Sequence, residues 1–201
     1  MGDEDRSRGS TLSELHRPDV EVLTTKRLRL EPNDLRHSEE MWISAQESMS
    51  ELRPWLRWTV DASLEEIRTW ARICKKKWAD NQGWVFAILF EGRPIGVIGI
   101  DDVDHQTLRG ELGYWMHSAY SGRGLMTEAG ATVVSFGFDV VGLHRMQLDA
   151  GVDNVGSVRV AEKIGFKREG IGRDSCRGAD GFYDAFRFGL LSTDPRPFAN
   201  A

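Results

Sequence analysis

The sequence lacks several features that mark common classes of protein. Its 201 residues include only two cysteines, Cys74 and Cys176, which lie far apart and form no Cys-x-x-Cys pair. This usage predicts two free thiols in a reducing cytoplasm rather than a disulfide framework. The five histidines have no metal-ligand spacing such as His-Glu-x-x-His, so we predict no metal site.

Long apolar runs and an excess of basic residues are also absent. The longest apolar runs, "WVFAILF" and the interrupted "ATVVSFGFDVVGL", fall short of the roughly 18 residues that a membrane span needs. The first residues, "MGDEDRSRGSTLSELHRPD", hold no apolar core of a signal peptide. The formal net charge is -5, and no basic helix with interleaved aromatic residues occurs. We therefore expect neither a membrane partner nor a nucleic-acid partner.

The composition is that of an ordinary globular chain. Hydrophobic residues make up 40% of it and charged residues 28%, which is enough apolar material for one full core. The polar N-terminal stretch predicts a disordered tail over residues 1–19. We predict a single domain over residues 20–194 and a short C-terminal tail over residues 195–201.

The first third of the chain predicts a strand followed by two helices. The stretch "VEVLTTKRLRLEP" alternates apolar and polar residues, as a half-buried strand does. A helix is expected after Asn33 or Asp34, and a second one after Ser63, because these residue types cap helix N-termini. The second helix has an apolar stripe at helical spacing: Leu64, Ile67, Trp70, Ile73 or Cys74, and Trp78.

The rest of the chain alternates strands and helices. "WVFAILF" and "RPIGVIGI" are joined at Glu91-Gly92, a typical hairpin turn, and "DDVDHQTLRG" predicts an exposed connection to the strand "ELGYWMH". A helix over "TEAGATVVSFGFDVVG", a strand over "HRMQLDAGV" and a short helix from Asn154 to Gly165 follow. Two further strands end the pattern, which predicts an α+β or mixed α/β domain around one sheet with mixed pairing.

The stretch "AYSGRGLMTEAG" places three glycines and an arginine where a helix must begin. Backbone N–H groups at a glycine turn and at a helix N-terminus can form a cradle for phosphate. The alternative is a turn that needs glycine for its backbone conformation alone. The motif is not specific by itself, because Thr127 stands where the dinucleotide pattern requires a third glycine and no P-loop lysine follows.

Four stretches, taken together and in this order, allow the glycine turn to be interpreted. They are "LTTKRLRLEP", "ELRPWLRW", "GYWMHSAYSGRGLMTEA" and "DNVGSVRVAEKIGFKREG". With them the chain resembles the GNAT superfamily of acyl-CoA-dependent N-acetyltransferases, within it the RimJ/RimL-like branch, over about residues 23 to 191. The resemblance implies a GNAT-like fold: one central mixed, mostly antiparallel sheet with splayed central strands, flanked by helices. Ser121 and Met126 depart from the family's usual loop, in which Gln or Arg and then a small residue stand at these positions.

The resemblance implies that acetyl-CoA is a co-substrate. Its pyrophosphate would lie on the glycine turn, and its pantetheine arm would lie between strands at residues 111–117 and 146–152. Thr127 has two open roles, a helix cap or a phosphate contact. The residues expected to contact acetyl-CoA are Trp115, Met116, His117, Gly122, Arg123, Gly124, Leu125, Met126, Thr127, Asn154 and Ser157.

Two residues are candidates for proton transfer. The resemblance implies that Ser157 donates a proton to the departing CoA thiolate, whereas helix capping alone would also explain Asn154 and Ser157. Glu111 is the candidate base, because a strand places it on the same side as Gly113 and Trp115. The alternative for Glu111 is a strand-edge carboxylate that pairs with a nearby cation.

Fewer sequence features indicate which residues bind the acceptor. Trp55 and Trp58 lie in a predicted loop and are candidates for the acceptor groove, although core packing also explains tryptophan. Asp102, in an acidic run, would attract a cationic substrate unless the run is simply solvated. We expect acetyl transfer to a primary amine of a protein N-terminus, an amino acid or a small molecule. The alternatives are another acyl donor such as succinyl-CoA, or a non-catalytic CoA-binding regulatory module; a homodimer is also expected from relatives.

Overall fold

A computed structural model describes residues 15–19 and 22–197. The strands are β1 (Leu23–Thr24), β2 (Leu28–Pro32), β3 (Trp84–Phe90), β4 (Arg93–Asp104), β5 (Arg109–Met116), β6 (Arg145–Gly151), β7 (Lys167–Arg177) and β8 (Phe182–Leu191). The helices are α1 (Ser38–Gln46), α2 (Met49–Leu52), α3 (Leu64–Ala79), α4 (Leu125–Ser135) and α5 (Val155–Lys163). Short 3-10 turns cover Leu35–His37, Arg57–Val60 and Ser118–Tyr120.

All eight strands belong to one sheet, in the order β1-β2-β3-β4-β5-β6-β8-β7. The β5–β6 pair is parallel and is joined through α4, whereas the other neighbouring strands pair antiparallel. A parallel pair needs such a crossover, since its strands run in the same direction. The expected mixed, mostly antiparallel sheet flanked by helices is confirmed.

Helices cover both faces of the sheet, and the alternation along each strand divides the core into two layers. On β3, Phe86 and Ile88 pack with α4 and α5, while Val85 and Ala87 pack with α1 and α3. On β5, Leu112, Tyr114 and Met116 face the α4–α5 layer and Trp115 faces the α1–α3 layer. This division decides which side of the sheet each candidate site residue faces.

Several local predictions are confirmed. Ser63 caps α3, since its side chain accepts a hydrogen bond from the Glu66 N–H at 3.2 Å. Glu91 and Gly92 both have positive φ angles, of 52° and 81°, as a two-residue hairpin turn of this kind requires. In the apolar stripe of α3 it is Cys74, not Ile73, that is buried.

Two predicted boundaries are wrong. The run from Asp101 to Asp104 is not a connection, because β4 continues to Asp104 through an irregularity at which Asp102 has a φ of 46°. The fourth helix begins at Leu125, earlier than predicted, because Gly124 acts as its N-cap with a φ of 75°. Beyond Ser135 this helix continues as a π-helical turn over Phe136–Val141.

The described N-terminal residues lie against the domain. Leu15 packs on the larger core, and the His16 N–H donates to the Val141 carbonyl at 2.8 Å. The remainder of the predicted N-terminal tail, up to residue 14, and the end of the C-terminal tail lie outside the described residues. Within the part of the chain that is described, no helix combines the length and apolar character needed to cross a bilayer.

Candidate active site

A gap opens between the two parallel strands at the centre of the sheet. β5 and β6 pair only where residues 109–111 face residues 145–147. Beyond this point β6 continues to pair with β8 as far as Gly151, while β5 continues to pair with β4. The edge of β5 that faces β6 is therefore open from Leu112 onward, and the predicted splay of the central strands is confirmed.

The backbone of β5 presents hydrogen-bonding groups to this gap. The His117 N–H donates to the Ile95 carbonyl of the neighbouring chain segment at 2.7 Å. Because backbone groups of an antiparallel strand point alternately to its two sides, those of Met116 and Tyr114 point away from β4 and into the gap. An extended ligand that carries amide groups can pair with them in the manner of an added strand.

A glycine cradle lies at the end of the gap, before α4. Gly122 and Gly124 have φ angles of 73° and 75°, a backbone conformation that other residues rarely adopt. Among the described residues, the N–H groups of residues 122–127 have no backbone hydrogen-bond partner. These donors and the N-terminus of α4 together suit an anion. No atom lies within 4 Å of a Cβ built on Gly122, so a phosphate has room to approach the backbone.

The longer side chains of the cradle pack against the protein. Leu125 and Met126 are buried in the core, so the bulk of Met126 does not obstruct the cradle. Arg123 stacks over the Phe90 ring, with its guanidinium carbon 4.8 Å from the ring centroid. Thr127 is the third residue of α4 and does not cap it, because Gly124 holds the cap position.

Helix α5 brings Ser157 to a partly buried tyrosine, Tyr114. The Asn154 side chain caps α5 by accepting from the Ser157 N–H at 3.1 Å, as helix capping alone predicts. The Ser157 hydroxyl lies 3.0 Å from the Tyr114 hydroxyl, which also donates to the Ser157 carbonyl at 3.2 Å. Burial raises the pKa of Tyr114 to about 12, so this phenol keeps its proton at neutral pH. Tyr114 therefore fixes the hydroxyl of Ser157 at the gap.

Glu111 lies at the point where the gap begins. It is opposite Gln147 on β6 and opposite Asp101 on β4. Burial, and then the nearby carboxylates of Asp149 and Asp102, raise its pKa above the ordinary value, while a hydrogen bond with Gln147 lowers it. A carboxylate with a raised pKa is a stronger base, as proton abstraction requires.

Open space lies beside Glu111 on the same face of β5. A Cβ built on Gly113 meets no atom within 4 Å, and Gly113 stands between Glu111 and Trp115 on that face. The Trp115 ring closes the far side of this space together with Trp58, whose ring centroid is 5.7 Å away. The space above Gly113 thus has a carboxylate at one end and an aromatic wall at the other.

Trp115 and His117, two of the residues expected to contact acetyl-CoA, have side chains that face away from the gap. The Trp115 side chain belongs to the α1–α3 layer, and its carbonyl faces β4, next to Gly96. His117 is buried, with Nε2 2.7 Å from a Glu47 carboxylate oxygen and Nδ1 3.1 Å from the Ser48 hydroxyl. Because strand alternation directs both residues away from the gap, only Met116 of this group faces it.

A loop and a hairpin close the end of the gap next to Gly151. The Trp55 ring covers Gly151 at the end of β6 and meets the Tyr183 ring edge-on, with centroids 5.5 Å apart. The Tyr183 hydroxyl donates to the Trp55 carbonyl at 2.8 Å. The turn between β7 and β8 also contacts this loop, since the Ala179 N–H donates to the Arg53 carbonyl at 2.9 Å. These contacts hold Trp55 next to the end of the gap.

The acidic groups around Glu111 form no metal site. Asp102 is exposed on β4, and Asp149 on β6 lies opposite Arg187 of β8. Burial raises the pKa of Asp149, and Arg187 opposes this effect. No group of three or more His, Cys, Asp or Glu side chains that could hold a metal ion occurs among the described residues. These carboxylates give this face of the sheet a local negative charge.

Sequence reasoning missed Tyr114 and Asp149. Tyr114 was visible only as part of "GYWM", and its partner Ser157 comes 43 positions later, with a helix and a strand between them. Asp149 approaches Glu111 only because the register aligns Glu111 with Gln147, two positions before Asp149. Side-chain alternation, followed from β5 to β6, would have placed Asp149 on the face of Glu111. No pattern in the local sequence indicates the contact between Tyr114 and Ser157.

The chain matches known acetyltransferases in sequence and in structure. Residues 27–167 match the family model "Acetyltransferase (GNAT) domain". A putative ribosomal N-acetyltransferase of Bacillus subtilis, YdaF, is 28% identical over 171 residues, which cover 82% of this chain and 90% of that protein. A spermidine N(1)-acetyltransferase of Escherichia coli is 26% identical over 141 residues, or 70% of this chain and 72% of that one.

Solved structures agree with this assignment. RimL, an acetyltransferase of a ribosomal protein, in complex with coenzyme A, has a TM-score of 0.81 at 18% identity, and the match covers 85% of this chain and 98% of that one. At this identity the likeness shows the fold. The resemblance to the GNAT superfamily and the predicted enzyme class are confirmed, and the chain belongs to the GNAT family of N-acetyltransferases.

Proposed function

We propose that this protein transfers the acetyl group of acetyl-CoA directly to a primary amine within one ternary complex. The observation that carries the proposal is the gap between β5 and β6. It has the glycine cradle at one end and, at the other, Glu111 beside the open space above Gly113. Relatives with a matching fold include one solved with acetyl-CoA and one solved with coenzyme A.

Acetyl-CoA supplies an acyl group already activated as a thioester, and the protein supplies binding and proton transfer. The cradle at Gly122 and Gly124 holds the pyrophosphate through backbone N–H groups. The backbone groups of Tyr114 and Met116 that point into the gap hold the pantetheine amides. An N–H on this edge, close to where β5 leaves β6, polarises the thioester carbonyl and stabilises negative charge on its oxygen.

Glu111 acts as the general base. An amine is protonated at neutral pH, because a terminal α-amino group has a pKa of about 8 and a lysine one of about 10.4. Glu111 accepts the proton that the nitrogen must lose while the new N–C bond forms and the C–S bond breaks. The raised pKa of Glu111 suits this role, and its position on the face of Gly113 directs the amine into the open space.

Ser157 protonates the departing sulfur, and Tyr114 positions it. The Tyr114 hydroxyl is fixed against α5 and lies 3.0 Å from the Ser157 hydroxyl. When its single proton turns from the Ser157 carbonyl to the Ser157 hydroxyl oxygen, the Ser157 hydroxyl is free to donate its own proton to the thiolate. A thiol has an unperturbed pKa of about 8.5, so the thiolate is already a good leaving group. The contribution of this pair is therefore smaller than that of Glu111.

The acceptor is a primary amine that arrives as a cation. Glu111, Asp102 and Asp149 attract it, and the Trp55 and Trp58 rings offer faces on which a cation or an apolar neighbour can rest. Relatives carry names that refer to a ribosomal protein and to spermidine, so both peptide N-termini and polyamines belong in the test. A homodimer is supported by the outer strand β7, which is exposed along most of its length.

Thiol release from acetyl-CoA, measured with a panel of peptides, amino acids and polyamines, tests the proposal. We expect release with at least one amine, together with acetylation of that amine by mass spectrometry. Succinyl-CoA, run in parallel, is expected to react more slowly. Calorimetric binding of CoA without release on any amine would instead support the alternative of a regulatory CoA-binding module. Sedimentation of the free protein measures the proposed dimer, and cell fractionation measures the proposed cytoplasmic location.

A further inference from the structure

An arginine from the start of the chain reaches the glycine cradle. Arg27, in the turn before β2, donates from Nε to a Glu128 carboxylate oxygen at 2.7 Å, and its Nη2 lies 2.6 Å from the same oxygen. The Arg27 backbone N–H and the Thr25 hydroxyl donate to the other carboxylate oxygen, at 2.9 and 2.5 Å. The Arg27 Nη1 donates to the Arg123 carbonyl at 3.0 Å. The guanidinium is thus fixed at the edge of the cradle.

The orientation of this guanidinium leaves donors for a ligand. A Cβ built on Gly124 would find its nearest neighbour in the Arg27 Nη2, at 3.7 Å. An arginine has five N–H donors, and the described residues engage three of those of Arg27. Of the other two, one belongs to Nη1 and one to Nη2, and Nη2 is the atom that borders Gly124. Arg27 remains 40% exposed, so an anion in the cradle can reach it.

The position of Glu128 creates an electrostatic problem that Arg27 solves. Glu128 is in the first turn of α4, where its N–H makes the first helical bond to the Gly124 carbonyl. Burial alone would raise the pKa of Glu128, but hydrogen bonds from Thr25 and Arg27 hold it below its usual value, so the carboxylate is charged. An unpaired carboxylate in the first turn of α4 would repel a phosphate bound at the N-terminus of that helix. Paired with Arg27, its charge is compensated.

We propose that Arg27 is a binding residue for the CoA pyrophosphate, and that it both donates to the phosphate and neutralises Glu128 beside it. This inference rests on the proposed function, since it takes the cradle as the CoA site. The competing explanation is that the Arg27–Glu128 pair only ties the β1–β2 turn to α4. The two explanations predict different results for the two partners, because a structural tie is lost equally when either partner is removed.

Calorimetric titration of CoA into the full-length protein separates these explanations. Arg27→Gln is expected to raise the Kd for CoA about 10- to 100-fold, the usual effect of losing a hydrogen bond to a charged group. Glu128→Gln removes a negative charge near the phosphates and is expected to leave the Kd unchanged or lower it. In the double variant the Kd is expected to fall below that of Arg27→Gln alone. Dephospho-CoA, which keeps the pyrophosphate, is expected to show the same penalty for Arg27→Gln.

Arg29→Gln is the matched control, since Arg29 lies two residues away and pairs with Glu31 instead. Its Kd is expected to equal that of the parent. Arg27→Lys keeps the positive charge but loses the planar set of N–H donors of the guanidinium. Its Kd for CoA is expected to lie between those of the parent and Arg27→Gln. Equal losses in Arg27→Gln and Glu128→Gln, no loss in Arg27→Gln, or a penalty that vanishes with dephospho-CoA would overturn the proposal. Failure of the parent to bind CoA would instead overturn the proposed function.

Discussion

The proposed donor half and the proposed acceptor half of the site are built from different materials. The donor half consists mainly of backbone: the open edge of β5 and the N–H groups of residues 122–127. Most of it comes from one continuous stretch of chain. The acceptor half consists of side chains that segments far apart in sequence bring together, such as Trp55, Glu111, Asp149 and Tyr183.

This difference indicates which half can change its specificity. Substitution of a side chain seldom alters a backbone cradle, provided that the glycines remain and the helix begins at the same residue. An acceptor wall made of side chains from loops can change with single substitutions while the sheet persists. The members of one family can therefore share a donor while they differ in the amine.

The largest effect is expected from Glu111→Gln. Loss of the base should lower kcat/KM by about 10²- to 10⁴-fold at neutral pH. The deficit should be greatest between the pKa of Glu111 and that of the amine, because there the parent has an ionised base and the amine is still protonated. It should shrink above the pKa of the amine. A kcat/KM profile against pH measures it, and a deficit independent of pH would show that Glu111 is not the base.

Gly124→Val should weaken CoA binding by a factor comparable to the loss of kcat/KM in Glu111→Gln. A β-branched residue at a φ of 75° is strained, and its side chain would occupy the space between the cradle and Arg27. We expect the Kd for CoA to rise about 100-fold, with the far-UV circular dichroism spectrum preserved. Calorimetry measures this change. Parent-like affinity in a folded variant would contradict the assignment of the cradle to phosphate.

A smaller effect is expected from the hydroxyl pair on the donor side. Ser157→Ala should lower kcat about tenfold, with a deficit that persists or grows at high pH as protonation of the thiolate becomes limiting. Tyr114→Phe should lower kcat less. Because Tyr114 acts through Ser157, adding Tyr114→Phe to Ser157→Ala should cause no further loss. Additive losses in the double variant would mean that Tyr114 acts independently.

The smallest effect concerns stability and distinguishes a base from a structural carboxylate. The folded state raises the pKa of Glu111 above its ordinary value of 4.5, so the folded protein binds more protons than the unfolded one just above pH 4.5. Stability is therefore lost as the pH rises through that window. Glu111→Gln should raise the Tm at pH 7, and the difference should disappear below about pH 4.5. A lower Tm for the variant at pH 7 would indicate a stabilising ion pair instead.

The donor half could largely be predicted from the sequence because its signals are local. Gly122 and Gly124 reveal the turn, and Asn154 reveals the start of α5. Of the two roles left open for Thr127, the structure excludes the cap: Ser and Thr are common caps, but the left-handed Gly124 takes the cap position.

The acceptor half could be predicted only in part, because strand register and chain crossings determine it. Trp58 was proposed from its residue type and Glu111 from strand parity. In the structure Trp58 packs against Trp115, which lies four residues after Glu111 on the same face of β5. The contact of Trp55 with Tyr183 joins residues 128 positions apart. No local pattern encodes such a contact, since it depends on where β8 pairs in the sheet.

A matched pair of glycine variants tests the division of the site most directly. Gly113→Val fills the open space on the acceptor face, and Gly124→Val fills the cradle; both introduce the same side chain. The account predicts that Gly113→Val keeps the Kd of the parent for CoA while kcat/KM for the best amine of the panel falls about 10- to 100-fold. It predicts the converse defect in CoA binding for Gly124→Val. If Gly113→Val weakened CoA binding as much as Gly124→Val does, the two halves would not be separate and the account would be wrong.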